Sequence, residues 1–147
     1  EIINNRLIKD FGIQKPNISF LGLNPHSGDG GVLGNEEKKI IIPAINSANK
    51  NGIQAKGPFA SDAFFARYNP DNYDAILAMY HDQGLIPFKM TDNNRGVNFT
   101  AGLKIIRTSP DHGTGFDIAG KFIANHKSMV EAIKLAIFLN KKRTKIK

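Results

Sequence analysis

Two short apolar runs constrain this chain more than anything else: residues 17–23 (Asn-Ile-Ser-Phe-Leu-Gly-Leu) and residues 75–80 (Ala-Ile-Leu-Ala-Met-Tyr). Each breaks off at a polar turn that carries a histidine, His26 after the first and His81 after the second. Runs this short, without strict polar alternation, suit strands buried on both faces. Helical spacing surrounds them. Ile3, Leu7, Ile8 and Phe11 lie near one face ahead of a stop at Gly12. Residues 35–49, acidic at the start and periodic through Ile40, Ile41, Ala44, Ile45 and Ala48, read as a helix running to Asn51-Gly52. Residues 62–66 are a short helical candidate, and residues 127–141 an amphipathic helix through Val130, Ile133 and Ile137. Two further strand candidates flank Gly102 within residues 96–108. Strands alternating with helices, with no linker or repeat between them, predict an α/β chain: helices layered on a mainly parallel or mixed sheet.

Composition narrows the chemistry. With no cysteine, a bound metal has only His, Asp and Glu as side-chain ligands, and disulfides are excluded. The formal charge of +7 invites a nucleic-acid reading, but five of the last seven residues are Lys or Arg, and without them the other 140 residues carry +2. A solvated basic tail, with no aromatic residues interleaved, predicts no nucleic-acid partner. No apolar run approaches the roughly 18 residues of a membrane span. The expectation is a cytoplasmic protein with no membrane partner. The opening residues have neither an initiator Met nor a signal-peptide pattern, so the chain is expected to start inside a longer protein.

Four constellations carry candidate chemistry. Residues 24–31 (Asn-Pro-His-Ser-Gly-Asp-Gly-Gly) set His26 in a glycine-rich loop just past a strand, where ligands bind in α/β sheets. Gly28, Gly30 and Gly34 have the wrong spacing for a dinucleotide fingerprint; they can let backbone approach a ligand, or simply make a flexible turn with a solvent-facing His. His81-Asp82 follows the second strand. Two imidazoles from separate strand ends can converge on one divalent cation, with Asp62 or Asp82 as ligand, orienting group or proton acceptor; alternatively His81-Asp82 only starts a helix. Lys89, Asn98 and Arg107 form a spaced polar set around the later strands, and a guanidinium at a strand end suits bidentate capture of phosphate or carboxylate. Finally, residues 110–121 are a Gly-rich stretch containing His112, Gly113, Asp117 and Ala119, able to hug a ligand or to form a plain turn.

Taken in order and spacing, residues 23–26, 79–85, 96–98, 106–109 and 111–114 resemble the 4-hydroxythreonine-4-phosphate dehydrogenase family over nearly the whole chain, and residues 112–121 are also similar to the nucleotide-binding loop of the wider isocitrate and isopropylmalate dehydrogenase superfamily. The resemblance implies the C-terminal part of a two-domain α/β/α subunit in a homodimer with its active site at the interface. It implies oxidation of a phosphorylated hydroxy amino acid, 4-phosphooxy-L-threonine, by NAD or NADP, in pyridoxal 5'-phosphate biosynthesis. The product is a β-keto acid that decarboxylates. By position, His26 and His81 match two of three metal-binding histidines for Zn, Mg or Co, and Lys89, Asn98 and Arg107 match substrate contacts. His112, Gly113, Asp117 and Ala119 would hold the cofactor, and Asp62 and Asp82 would assist proton transfer. Residues 1–120 are then expected to belong to the substrate- and metal-binding domain, and residues 121–147 to be a helix and basic tail packed on the first domain. The third histidine matches neither His112 nor His126, so the chain alone is expected to be inactive.

Overall fold

In a computed structural model, which describes residues 1–144, the chain folds as two packed groups of elements. The first is a three-stranded parallel sheet, β2-β1-β3, built from β1 (Asn17–Leu21), β2 (Gln54–Phe59) and β3 (Ala75–Leu77). The second is an antiparallel ribbon of β4 (Val97–Phe99) and β5 (Thr108–Pro110). The helices are α1 (residues 2–11), α2 (residues 37–50), α3 (Ser61–Ala66), α4 (His81–Thr91) and α5 (Lys127–Thr144). Both α1 and α2 contain a wider i→i+5 turn, at Leu7–Phe11 and Glu37–Ile41. None of the described helices is long and apolar enough to cross a membrane. The end of the expected basic tail, Lys145 to Lys147, lies outside the described residues.

β1 is the middle strand and is buried on both faces, since the neighbours Ile18 and Ser19, which point to opposite faces, and Leu21 are each within 1% of complete burial. On one face, Ile41 and Ile45 of α2 meet Ala55 of β2, with Phe20, Ala48 and Met79 packed around them. An aromatic cluster centred on Phe64 ties α3 to the sheet: its ring lies 5.4 Å from Phe59 at the end of β2 and 5.0 Å from Tyr73 just ahead of β3. The ribbon belongs to the second group. Phe11 of α1 meets Phe99 of β4 edge-on at 5.9 Å and Phe138 of α5 at 6.2 Å, and the hydroxyl of Thr108 donates to the carbonyl of Ala132 at 2.9 Å.

Strand β2 is not visible in the apolar pattern. It contains Gly57-Pro58, which the sheet tolerates because β2 lies at its edge. The register slips between Ser19 and Leu21, and Gly57 takes φ +130 there, with a Cβ at that position falling 2.3 Å from the Phe20 carbonyl oxygen. The run at 75–80 is shorter and less buried than its composition predicts. β3 stops at Leu77 because its partner strand ends one residue after the Phe20–Leu77 pair, and Ala78 to Tyr80 continue without a ladder.

The two ends of the chain are tied by charge. Asp10 is 1% exposed and receives a bidentate pair from Arg143 of α5, Nε to Oδ1 at 2.9 Å and Nη2 to Oδ2 at 2.7 Å, with Arg6 Nη1 at 3.7 Å. The Arg143 hydrogen bonds hold its carboxyl below the usual range against the opposing effect of burial. A carboxylate with a lowered folded pKa contributes stability that is present above the unfolded pKa and lost as pH falls through the folded one. Asp10→Asn is therefore expected to lower unfolding free energy by about 2 kcal/mol near neutral pH, through loss of charge-assisted bonds in a buried site. The difference from the parent should shrink below about pH 4, as urea denaturation at the two pH values would reveal.

Candidate functional site

Parallel pairing of β1 with both neighbours brings three strand ends to one edge of the sheet. From that edge leave the loop bearing His26, helix α3 bearing Asp62, and helix α4 beginning at His81 and Asp82. All four side chains belong to exposed residues. The carboxyl edge of a parallel sheet is where α/β folds place ligands.

His26 sits in an unusual turn. Residues His26 to Gly30 all have left-handed backbone angles, with φ of 52, 55, 84, 41 and 64, and three of the five are not glycine. Such conformations are strained for L residues and persist only when the surroundings enforce them. Enforcement comes from Glu37 at the start of α2. Its carboxylate, in a residue 2% exposed, accepts from the N–H of Leu23 at 2.8 Å and of Asn24 at 2.7 Å, and from the Asn24 side-chain amide at 2.9 Å. Burial raises the Glu37 pKa, but the bonds from Asn24 and Leu23 outweigh it, and the carboxyl lies below its ordinary range. The Asn24 amide also donates to Glu36 at 2.7 Å and lowers that carboxyl. Ser27 closes the loop by donating to the Pro58 carbonyl at 3.1 Å.

His81 combines the two readings open to it, since it is the first residue of α4 and also stands at the sheet edge. Its Nδ1 lies 2.7 Å from Asp82 Oδ1. An ionised carboxylate only accepts, so Nδ1 is the donor; in the neutral ring Nε2 then carries the lone pair, the arrangement in which a carboxylate orients an imidazole for a metal. Among the described residues no group of three His, Asp or Glu side chains is placed to hold a metal ion. The donor type thus suits a divalent cation, while the described residues supply an incomplete ligand set.

Helical spacing puts His81, Leu85 and Lys89 on one side of α4, where they line an open groove with Asp82, Ile86 and Met90. The Lys89 ammonium donates to the Asp111 carbonyl at 2.9 Å and also pairs with its carboxylate. On the ribbon, Asn98 pairs with Ser109, and the Thr100 N–H donates to the Arg107 carbonyl at 3.1 Å. By the two-residue alternation of strands, Asn98 and Arg107 therefore share a face, opposite the one that Phe99 and Thr108 turn toward α1 and α5. Arg107 Nη1 is held by Thr100 Oγ1 at 2.8 Å.

The Gly-rich stretch forms a separate cleft of about 630 Å³, within the range of small-ligand pockets. His112, Gly113, Asp117 and Ala119 all line it. His112 is turned back on its own loop, with Nδ1 2.9 Å from the Gly113 carbonyl. The residues that build these sites were mostly without a role in the sequence. Glu37 read only as an acid at a helix start, Gln83 only as part of the His81 motif, and Ser128, whose hydroxyl joins the Asp111 N–H to the Gly96 carbonyl, had no signal at all.

Residues 1–136 match the family described as Pyridoxal phosphate biosynthetic protein PdxA. A 4-hydroxythreonine-4-phosphate dehydrogenase of Prosthecochloris aestuarii is 55% identical over 135 residues, which are 91% of this chain and 39% of that protein. The crystal structure of a 4-hydroxythreonine-4-phosphate dehydrogenase from Klebsiella pneumoniae superposes with a TM-score of 0.77 at 43% identity, covering 92% of this chain and 41% of that one. A terephthalate 1,2-cis-dihydrodiol dehydrogenase from Burkholderia xenovorans superposes with a TM-score of 0.67 at 34% identity, covering 90% and 42%. The chain spans about 40% of the length of the curated relatives it matches. On this sequence match and this shared fold, the chain belongs to the PdxA family.

Proposed function

We propose that the complete protein is an NAD(P)-dependent, metal-assisted dehydrogenase that oxidises 4-phosphooxy-L-threonine to a β-keto acid, which decarboxylates to 3-amino-2-oxopropyl phosphate. The observation that carries this reading is the shared carboxyl edge, where His26 and His81 leave neighbouring parallel strands in a chain of this family. His26 and His81 would hold the cation, and the remaining ligand would come from residues outside this chain, in a homodimer with its site at the interface. A divalent cation there supplies Lewis-acid polarisation of the substrate hydroxyl and of the carbonyl it becomes.

The chain's own residues then bind, orient and move protons. Lys89 and Arg107 hold the anionic ends of the substrate, and Asn98 orients it from the ribbon face it shares with Arg107. Oxidation removes a hydride from carbon to the nicotinamide and a proton from the hydroxyl. Asp62 or Asp82, exposed at the sheet edge, accepts that proton. Breaking the carbon–carbon bond then releases carbon dioxide, and the carbon left behind takes up a proton. The cleft lined by His112, Gly113, Asp117 and Ala119 would seat the cofactor. Helix α5 would pack on the first domain through its outer side, where Met129, Ile133 and Ile137 are each at least 48% exposed.

A second reading, a dehydrogenase of another hydroxylated substrate, is favoured by the structural likeness to a cis-dihydrodiol dehydrogenase. The two separate on substrate. NAD(P) reduction by the complete protein with 4-phosphooxy-threonine and zinc or cobalt supports the first, whereas reduction with a cis-dihydrodiol alone would replace it by the second. His81→Ala is expected to abolish metal-dependent turnover and to weaken zinc binding in calorimetry; unchanged affinity and rate would remove His81 from the ligand set. Arg107→Ala is expected to raise KM for the phosphorylated substrate by about tenfold to a hundredfold, the range for losing bonds to a charged group. Because Arg107 is exposed and its side chain bonds only Thr100 among the described residues, the variant's melting temperature should match the parent's.

A further inference from the structure

Gln83 lies two residues past His81 on α4, is 8% exposed and makes no use of solvent. Its Oε1 accepts the Met79 N–H at 2.6 Å, just past β3. Its Nε2 donates to the Gly22 carbonyl at 2.6 Å, the first residue after β1, and to the Ser61 hydroxyl at 2.6 Å, the start of α3 after β2. Chemistry fixes the amide's orientation. A peptide N–H only donates and a peptide carbonyl only accepts, so a flipped amide would meet both with the wrong atom. One side chain thus bonds to the exits of all three strands.

The ladders do not do this work themselves. The last paired residues are Phe20 with Leu77 and Leu21 with Phe59, and only the Gly22 N–H to Phe59 carbonyl bond, at 2.8 Å, extends past them. Beyond that point each exit carries a residue of the proposed site. Asp62 adjoins Ser61, His81 follows Met79 by two residues, and His26 follows Gly22 by four. We infer that Gln83 is a positioning residue, which holds the exits bearing His26, Asp62 and His81 in one fixed arrangement and so sets the geometry of the metal ligands. This rests on the metal reading given under Proposed function. Gln83 itself touches neither cation nor substrate; it acts through the backbone of the loops that do.

The test is cobalt(II) binding to the metal-free complete protein, followed by calorimetry and by the visible absorption of the bound ion, with thermal unfolding measured alongside. Gln83→Leu keeps the size of the side chain and removes all three bonds. It is expected to weaken cobalt binding by about tenfold or more, as is usual when a group supporting metal ligands is lost, and to change the cobalt spectrum. Ser61→Ala removes one of the three bonds and is expected to weaken binding less, in the same direction. Should Gln83→Leu not fold, Ser61→Ala carries the comparison. Asp10→Asn, at the α1–α5 contact in the other group of elements, is expected to lower the melting temperature and leave cobalt affinity and spectrum unchanged. If Gln83→Leu and Ser61→Ala bind cobalt as the parent does while His81→Ala does not, the positioning role is overturned and the metal reading stands. If His81→Ala also binds normally, the metal reading itself falls.

Discussion

Parallel pairing of β1 with β2 on one side and β3 on the other is the constraint on which the rest depends. It sends all three strands out at the same edge, so that three chain segments far apart in sequence must leave side by side. An antiparallel arrangement would put alternate exits at opposite edges, and His26 and His81 would then be separated by the length of the sheet. Burial enforces the parallel choice. β1 is covered on both faces, and the chain returns through α2 after β1 and through α3 after β2, which brings each strand back in the same direction.

A parallel sheet alone leaves its exits loose, because the ladder ends where the loops begin. Two buried polar side chains make up the difference. Glu37 bonds the backbone of Leu23 and Asn24 and steadies a turn in which His26, Ser27 and Asp29 take left-handed angles, each of which is strained by about 1 kcal/mol or more. A carboxylate with several N–H donors is among the stronger hydrogen-bonding arrangements, which is why it can offset that strain even when buried. Gln83 does the same for the three exits jointly. The exposed histidines are therefore carried on backbone that is more tightly held than their own accessibility suggests.

Much of this was legible in the sequence, and the remainder failed for definable reasons. Apolar runs located β1 and β3, periodicity located α1, α2 and α5, and turn residues placed His26 and His81 after strands, all of which are local signals. β2 was hidden because Gly57-Pro58 breaks the pattern of a strand that, at a sheet edge, can accommodate both residues. β3 came out short because strand length is set by the partner, and no property of residues 78–80 reveals where β1 ends. The supporting groups were the least visible. Glu37 contacts residues 13 and 14 positions away and Gln83 reaches 61 positions back to Gly22, so their roles exist only once the chain has folded. Side chains that could hold a ligand announce themselves by type; those that hold the holders do not.

The Lys89–Asp111 pair joins the two regions that the proposed chemistry needs to act together. Lys89 lies on the side of α4 that begins with His81, and Asp111 opens the loop that lines the second cleft, with its N–H fixed by Ser128. In the structure the ammonium is satisfied by the Asp111 carbonyl and carboxylate. An anionic substrate group arriving at Lys89 must share or displace those bonds, and whatever it takes from Asp111 is felt in the loop beneath the cleft. Because the pair is partly exposed, the exchange is nearly balanced: charge-assisted bonds in water-accessible sites contribute little net stability. On the proposed reading, that balance lets the phosphorylated substrate be bound without a large penalty for breaking a preformed ion pair. On the same reading, occupation of Lys89 would be felt at Asp111 and would link the proposed substrate groove to the proposed cofactor cleft through a single side chain.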